Sequence, residues 1–179
     1  MKRKLVRLLA FFLACWGLSA CGPELQSKNI PDPLVSVADS VKKVSFINEY
    51  GAVLQSSEYL NSMKLLGEIT VFIPRNEDFL KFLSERKLTS DGLIRDQAML
   101  DQLLRFQIVE GRISAEYLKD QVGKSIRTVA GDVLIISLVN GLVAVSVPGG
   151  TPMILLSTGI ETSQGLIHVT NGVLAPAGL

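Results

Sequence analysis

The chain has 179 residues, 47% of them hydrophobic, with 18 basic and 17 acidic side chains and one histidine. That length suits one domain with a sizeable core. Lys2, Arg3, Lys4 and Arg7 crowd the start, leaving 14 basic side chains against 17 acidic ones beyond it and no basic cluster, which excludes a nucleic-acid footprint. The two cysteines, Cys15 and Cys21, also sit near the start, so the rest of the chain has neither a disulfide nor a cysteine metal ligand.

The basic start is followed by an uncharged apolar run, Leu8 to Leu18, and then by Ser19-Ala20-Cys21-Gly22. A positive start, a short apolar run and small residues are the parts of an export signal. The run is shorter than the about 20 residues of a comfortable membrane span. Leu18-Ser19-Ala20-Cys21 resembles the lipidation site of bacterial lipoproteins. That resemblance implies a diacylglycerol on the Cys21 sulfur and loss of residues 1–20, including Trp16, the only tryptophan. Gly22, in place of an aspartate, implies forwarding to the outer membrane. Residues 22–33, GPELQSKNIPDP, hold three prolines and read as a tether, so 21–33 link the lipid to a domain over 34–176.

The first half of that domain reads as helical. Val35, Val37, Ala38 and Val41 line one face of a first helix. Ser45 stands as an N-cap before Phe46, Ile47, Tyr50, Val53 and Leu54, which have the spacing of an apolar helical stripe. Ile69 to Pro74 reads as a strand. Asn76-Glu77-Asp78 reads as an N-cap with an acidic first turn, and Phe79, Phe82 and Leu83 follow inward. A helix over Gln97 to Arg105 turns its leucines inward, Gln107 to Val109 is extended, and Gly111 ends it. Ser114 caps a short turn carrying Tyr117 and Leu118.

From Ser125 the pattern is β. Val133 to Val139 and Leu142 to Val147 flank Asn140-Gly141, the signal of a hairpin with a type I′ turn. Pro148-Gly149-Gly150 breaks the run. Met153 to Ser157, Leu166 to Thr170 and Val173 to Leu174 read as further strands. Helices first and strands second indicate an α+β class.

Three segments together resemble the fasciclin domain. TVFIPRNEDF, Thr70 to Phe79, is similar to its first motif, with Thr70, Phe72, Pro74, Asn76 and Phe79 at the family's positions. LLRFQIVEG, Leu103 to Gly111, is similar to the middle segment. QGLIHVTNGVLAP, Gln164 to Pro176, is similar to the last motif and carries Gly165 and His168. The resemblance implies a wedge-like pair of β-sheets with several packed helices, and a non-enzymatic role in adhesion or protein interaction. The chain departs from the family pattern at Gln107, where histidine is usual, at Gln164, where asparagine is usual, and at Asn171, where an acid is usual. Gly159-Ile160 stands where animal adhesion members often have Asp-Ile, a dipeptide linked to integrin binding, so that site does not carry over.

Chemistry is sparse. His168 could be a general base or a metal ligand, but its place in the signature strand reads as structural, and no cysteine or second histidine accompanies it. No G-x-S-x-G elbow, P-loop or dinucleotide fingerprint occurs. The expectation is therefore no catalytic residue, no metal and no cofactor. The reading is an envelope lipoprotein held to a membrane by its N-terminal lipid, with a protein or glycan partner. The alternative is a carrier of a small apolar ligand, glycan or lipid. Asn140, Gly141, Pro148, Gly149, Gly150 and Pro152 are the candidate contact residues, since binding residues concentrate on loops of a rigid scaffold. The apolar strands are either core or an exposed face.

Overall fold

Strands with apolar side chains on both faces need cover on both sides, and two strands here are buried at every position: β1 (Ile69–Pro74) and β7 (Gly165–Thr170). The computed structural model describes residues 40–41, 45–57, 59, 67–163, 165–176 and 178–179. All of these fall within the unit Pro31–Leu179. The export signal, Cys21, the tether and all but the end of the first expected helix lie outside the described residues.

β1 and β7 pair in parallel, Ile69 with Gly165 through Pro74 with Thr170. Side chains alternate along a strand. Ile69, Val71 and Ile73 therefore enter one core with Ile167 and Val169, while Phe72 enters another. The first core is roofed by four helices: α1 (Asn48–Gln55), α2 (Asn76–Glu85), α3 (Ser90–Arg95) and α4 (Gln97–Gln107). They contribute Tyr50, Phe79, Leu93 and Leu103, all fully buried.

The remaining elements are β2 (Ile108–Glu110), α5 (Ala115–Asp120), β3 (Ser125–Arg127), β4 (Val133–Val139), β5 (Leu142–Ser146) and β6 (Met153–Thr162). Leu118 of α5 joins Leu134, Ile136, Val145 and Leu155 in the second core. The strands form one seven-stranded sheet in the order β2-β1-β7-β6-β5-β4-β3. This corrects the pair of sheets implied by the family resemblance. The reason is β6. Its first two residues pair with β5, and Leu155 to Thr162 pair with β7 across two irregularities in register. One long bent strand thus serves both halves. The edge strands also approach: Val109 bridges Thr128, and the Val129 N–H donates to the Ile108 carbonyl at 2.8 Å. Curling the sheet nearly closed removes most of its free edge.

The α+β class and the hairpin are as expected. Asn140 and Gly141 have φ of 51° and 81°, as a type I′ turn demands. Ser114 caps α5, accepting from the Tyr117 N–H at 3.1 Å. Other local expectations give way to tertiary contacts. Ser45 is not the N-cap of α1, which begins at Asn48. Asn76 is not an N-cap but the first residue of α2. Its side chain instead donates to the Ser45 carbonyl and to Asn48 Oδ1, and accepts from the Glu49 N–H at 3.1 Å. It caps the neighbouring helix rather than its own. Val173 to Leu174 is not a strand, and β6 continues past Ser157 to Thr162. The α3 helix, capped by the Thr89 hydroxyl, was not expected.

Candidate functional site

His168 projects from β7 on the face opposite Ile167, beside Phe72 of β1, its register partner. The two rings stack with centroids 5.6 Å apart and planes at 29°. His168 is fully buried. Its Nε2 lies 2.8 Å from the Ile113 carbonyl, and its Nδ1 accepts from the Gly159 N–H at 3.2 Å. The carbonyl can only accept, so Nε2 carries the proton. Both ring nitrogens are thus occupied by main chain. Such a ring fastens β7 to the 113 segment and to β6; it has no free nitrogen for proton transfer or metal binding. Burial pushes its pKa below the usual histidine value, against smaller upward effects of the Ile113 bond and the Glu116 carboxylate.

A pH dependence follows. The unfolded chain protonates His168 near pH 6.5, the folded chain only at lower pH. As pH falls below about 6.5 the unfolded state therefore binds more protons, and stability declines, by at most about 1.4 kcal/mol per pH unit for one group. Above about 6.5 the contribution is complete. Urea unfolding from pH 5 to 8 should show this slope in wild type and a flatter one in His168→Gln. A wild-type curve that rises on acidification would contradict the burial of a neutral ring.

The other motif residues act around the same strand pair. The Thr70 hydroxyl donates to the Gly111 carbonyl at 2.7 Å and accepts from the Ile113 N–H at 2.9 Å. It thereby fixes the turn that presents the Ile113 carbonyl to His168. Gly111 has φ of 91°, which suits glycine. Thr70, Phe72, Gly111, Gly165 and His168 thus form one neighbourhood. Pro74, Asn76 and Phe79 form another at the far end of β1, where Phe79 packs edge-on against Tyr50 with centroids 5.0 Å apart. Gln107, which replaces the family's usual histidine, is fully buried. It accepts from the Tyr50 hydroxyl and donates to the Leu174 carbonyl at 3.0 Å. Neither partner was legible beforehand, because they lie 57 and 67 residues away.

The candidate contact residues do not form one surface. Asn140 and Gly141 are exposed at the tip joining β4 to β5, whereas Pro148, Gly149, Gly150 and Pro152 follow the opposite end of β5. The latter loop borders a cleft of about 380 Å³ against α2, where Thr151, Pro152 and Asn171 face Asp78, Lys81 and Glu85. Lys81 and Glu85 are 3.9 Å apart. Gly159 lies at an irregularity of β6 with φ of 71°. The Glu161 carboxylate, next to Ile160, is held by Arg112 at 2.7 Å. Among the described residues, no group of three or more His, Cys, Asp or Glu side chains is placed to hold a metal ion. Nor is any helix among them long and apolar enough to cross a membrane.

Comparison with known proteins agrees with this architecture. Human periostin is 23% identical over 142 residues, a match that spans 79% of this chain but only 16% of periostin. A solved FAS1 domain pair from the insect cell adhesion molecule fasciclin I superposes with a TM-score of 0.50 at 16% identity. That superposition covers 80% of this chain and 45% of the other, and it speaks for the fold alone. The fasciclin domain family matches residues 47–176, most of the chain and the whole described sheet. Fasciclin domains are non-enzymatic modules, and this chain belongs to their family.

Proposed function

We propose that the chain is a lipid-anchored adhesion or protein-interaction module of the bacterial cell envelope. In this reading residues 1–20 are an export signal, Cys21 is acylated, 21–33 are a tether and 34–176 are the fasciclin domain, held at the outer membrane. The observation that carries the interaction role is the family match over residues 47–176. His168, Thr70, Phe72, Pro74, Asn76, Phe79, Gly111 and Gly165 then serve the scaffold and leave contact to loops. Acyl chains at about 0.8 kcal/mol per buried CH₂ hold such a module stably when more than one is attached. Many weak copies on one membrane add avidity.

Two measurements test this reading. Cys21→Ser should abolish incorporation of labelled palmitate and leave a longer precursor; normal labelling of that variant excludes the anchor. For contact, beads coated with the protein should retain envelope-bearing cells. Thr151→Glu, an exposed loop change at the cleft, should lower retention about tenfold, the effect of about 1.4 kcal/mol at an interface. Glu161→Ala should leave it unchanged, because that carboxylate is already occupied by Arg112. The reverse pattern moves the contact site to the position used by animal members.

A further inference from the structure

Residues 133–160 contain no charged side chain and no histidine. They form β4, β5 and most of β6, three adjacent strands of the sheet. The stretch holds three of the large exposed apolar side chains: Leu138 at 46%, Leu142 at 52% and Leu156 at 45% exposure. Leu138 pairs with Val143, and Val139 pairs with Leu142. Consecutive residues of a strand face opposite ways, so the Asn140–Gly141 hairpin ends in apolar side chains on both of its faces. Ala144 pairs with Ile154, and Leu156 follows two residues further along β6.

We propose that this uncharged hairpin end is a bilayer-docking surface, which inserts shallowly among lipid headgroups and acyl ends and orients the domain on its membrane. A protein partner or a second copy would cover one face of the ribbon and leave a leucine of the other in water. A lipid interface surrounds both faces. A protein contact also gains specificity and a wet rim from charged groups, and here none is available over 28 consecutive residues. The bilayer is within reach: 18 residues lie between Cys21 and Ser40, an extended span of at most about 65 Å. The inference rests on the lipid-anchored reading for its membrane, and it moves the hairpin out of the adhesive surface, leaving the 148–152 loop.

The test uses the full chain with Trp16→Phe, so that an introduced tryptophan is the sole one. Leu142→Trp reports from the hairpin, and Leu80→Trp, equally exposed on α2, serves as the control. In vesicles of phosphatidylethanolamine and phosphatidylglycerol with brominated acyl chains, the residue-142 probe should shift to the blue and lose at least half its emission. The residue-80 probe should do neither. Equal behaviour of the two probes overturns the proposal. So does a blue shift at residue 142 that needs no vesicles and grows with protein concentration, which marks a contact between copies. Repeating the comparison with Cys21→Ser protein at high lipid separates the two readings. Absence of acyl groups from the chain that keeps Cys21 sinks the anchor, while loss of the difference between probes in the Cys21→Ser protein sinks the docking surface. Leu138→Asp added to the residue-142 probe should remove most of its bromolipid quenching with an unchanged circular dichroism spectrum; unchanged quenching also overturns the proposal.

Discussion

Gly165→Ala is expected to destabilise the domain by about 3–5 kcal/mol, a large fraction of the stability of an ordinary domain. A Cβ on Gly165 would stand 1.9 Å from the Ile69 carbonyl oxygen, 2.9 Å from its carbon and 3.1 Å from its nitrogen. All three are main-chain atoms, so no side chain can swing aside. Relief requires β1 and β7 to separate, and that parallel pair lies between the two cores. Ordinary overpacking costs about 1–3 kcal/mol where side chains can adjust; here the obstacle is the sheet itself. Gly141→Ala is the informative comparison. It has φ of 81° but open space around it, so about 1 kcal/mol of backbone strain is expected. Urea unfolding measures both. A Gly165→Ala protein within about 1 kcal/mol of wild type would show that the two strands are not this close.

The second large effect is expected at Gln107. Its amide links the Tyr50 hydroxyl of the first core to the Leu174 carbonyl. The setting is dry: burial raises the Tyr50 pKa well above that of a solvated phenol. Gln107→Ala leaves a buried hydroxyl and a buried carbonyl without partners, each at about 1–3 kcal/mol, and opens a cavity besides. The expected total is about 3–5 kcal/mol. Tyr50→Phe alone strands only the Gln107 oxygen and should cost about 1–3 kcal/mol. The double variant Tyr50→Phe/Gln107→Ala removes both members of the pair and should lose clearly less than the sum of the separate changes. Strict additivity in this cycle would mean that the two side chains do not interact.

Elements with a strong local pattern were legible from the residues alone. The strand and helix over Thr70 to Phe79, the α4 helix, the Ser114 cap and the Asn140-Gly141 hairpin each rest on side chains within a few positions of one another. Periodicity, capping and turn chemistry act over that range, so they can be read without a fold. The three motifs likewise identified the family, because their residues shape the strand pair β1 and β7 directly.

What the chain does at long range was decided by its path in space. Asn76 had the right position to cap its own helix, yet its amide is taken by the turn at Ser45 to Glu49, which the fold brings beside it. The bonds of His168 to Ile113 and Gly159, and of Gln107 to Tyr50, join groups on different elements. The hairpin and the 148–152 loop look adjacent in sequence but are held apart by the length of β5. Sheet order had the same origin. β6 alone determines that there is one sheet, since only its bend and its two sets of partners join the halves. Local sequence determined which elements form and which family they make. Tertiary structure decided which polar groups meet and which apolar faces stay open, because those outcomes depend on burial and pairing between segments far apart in the chain.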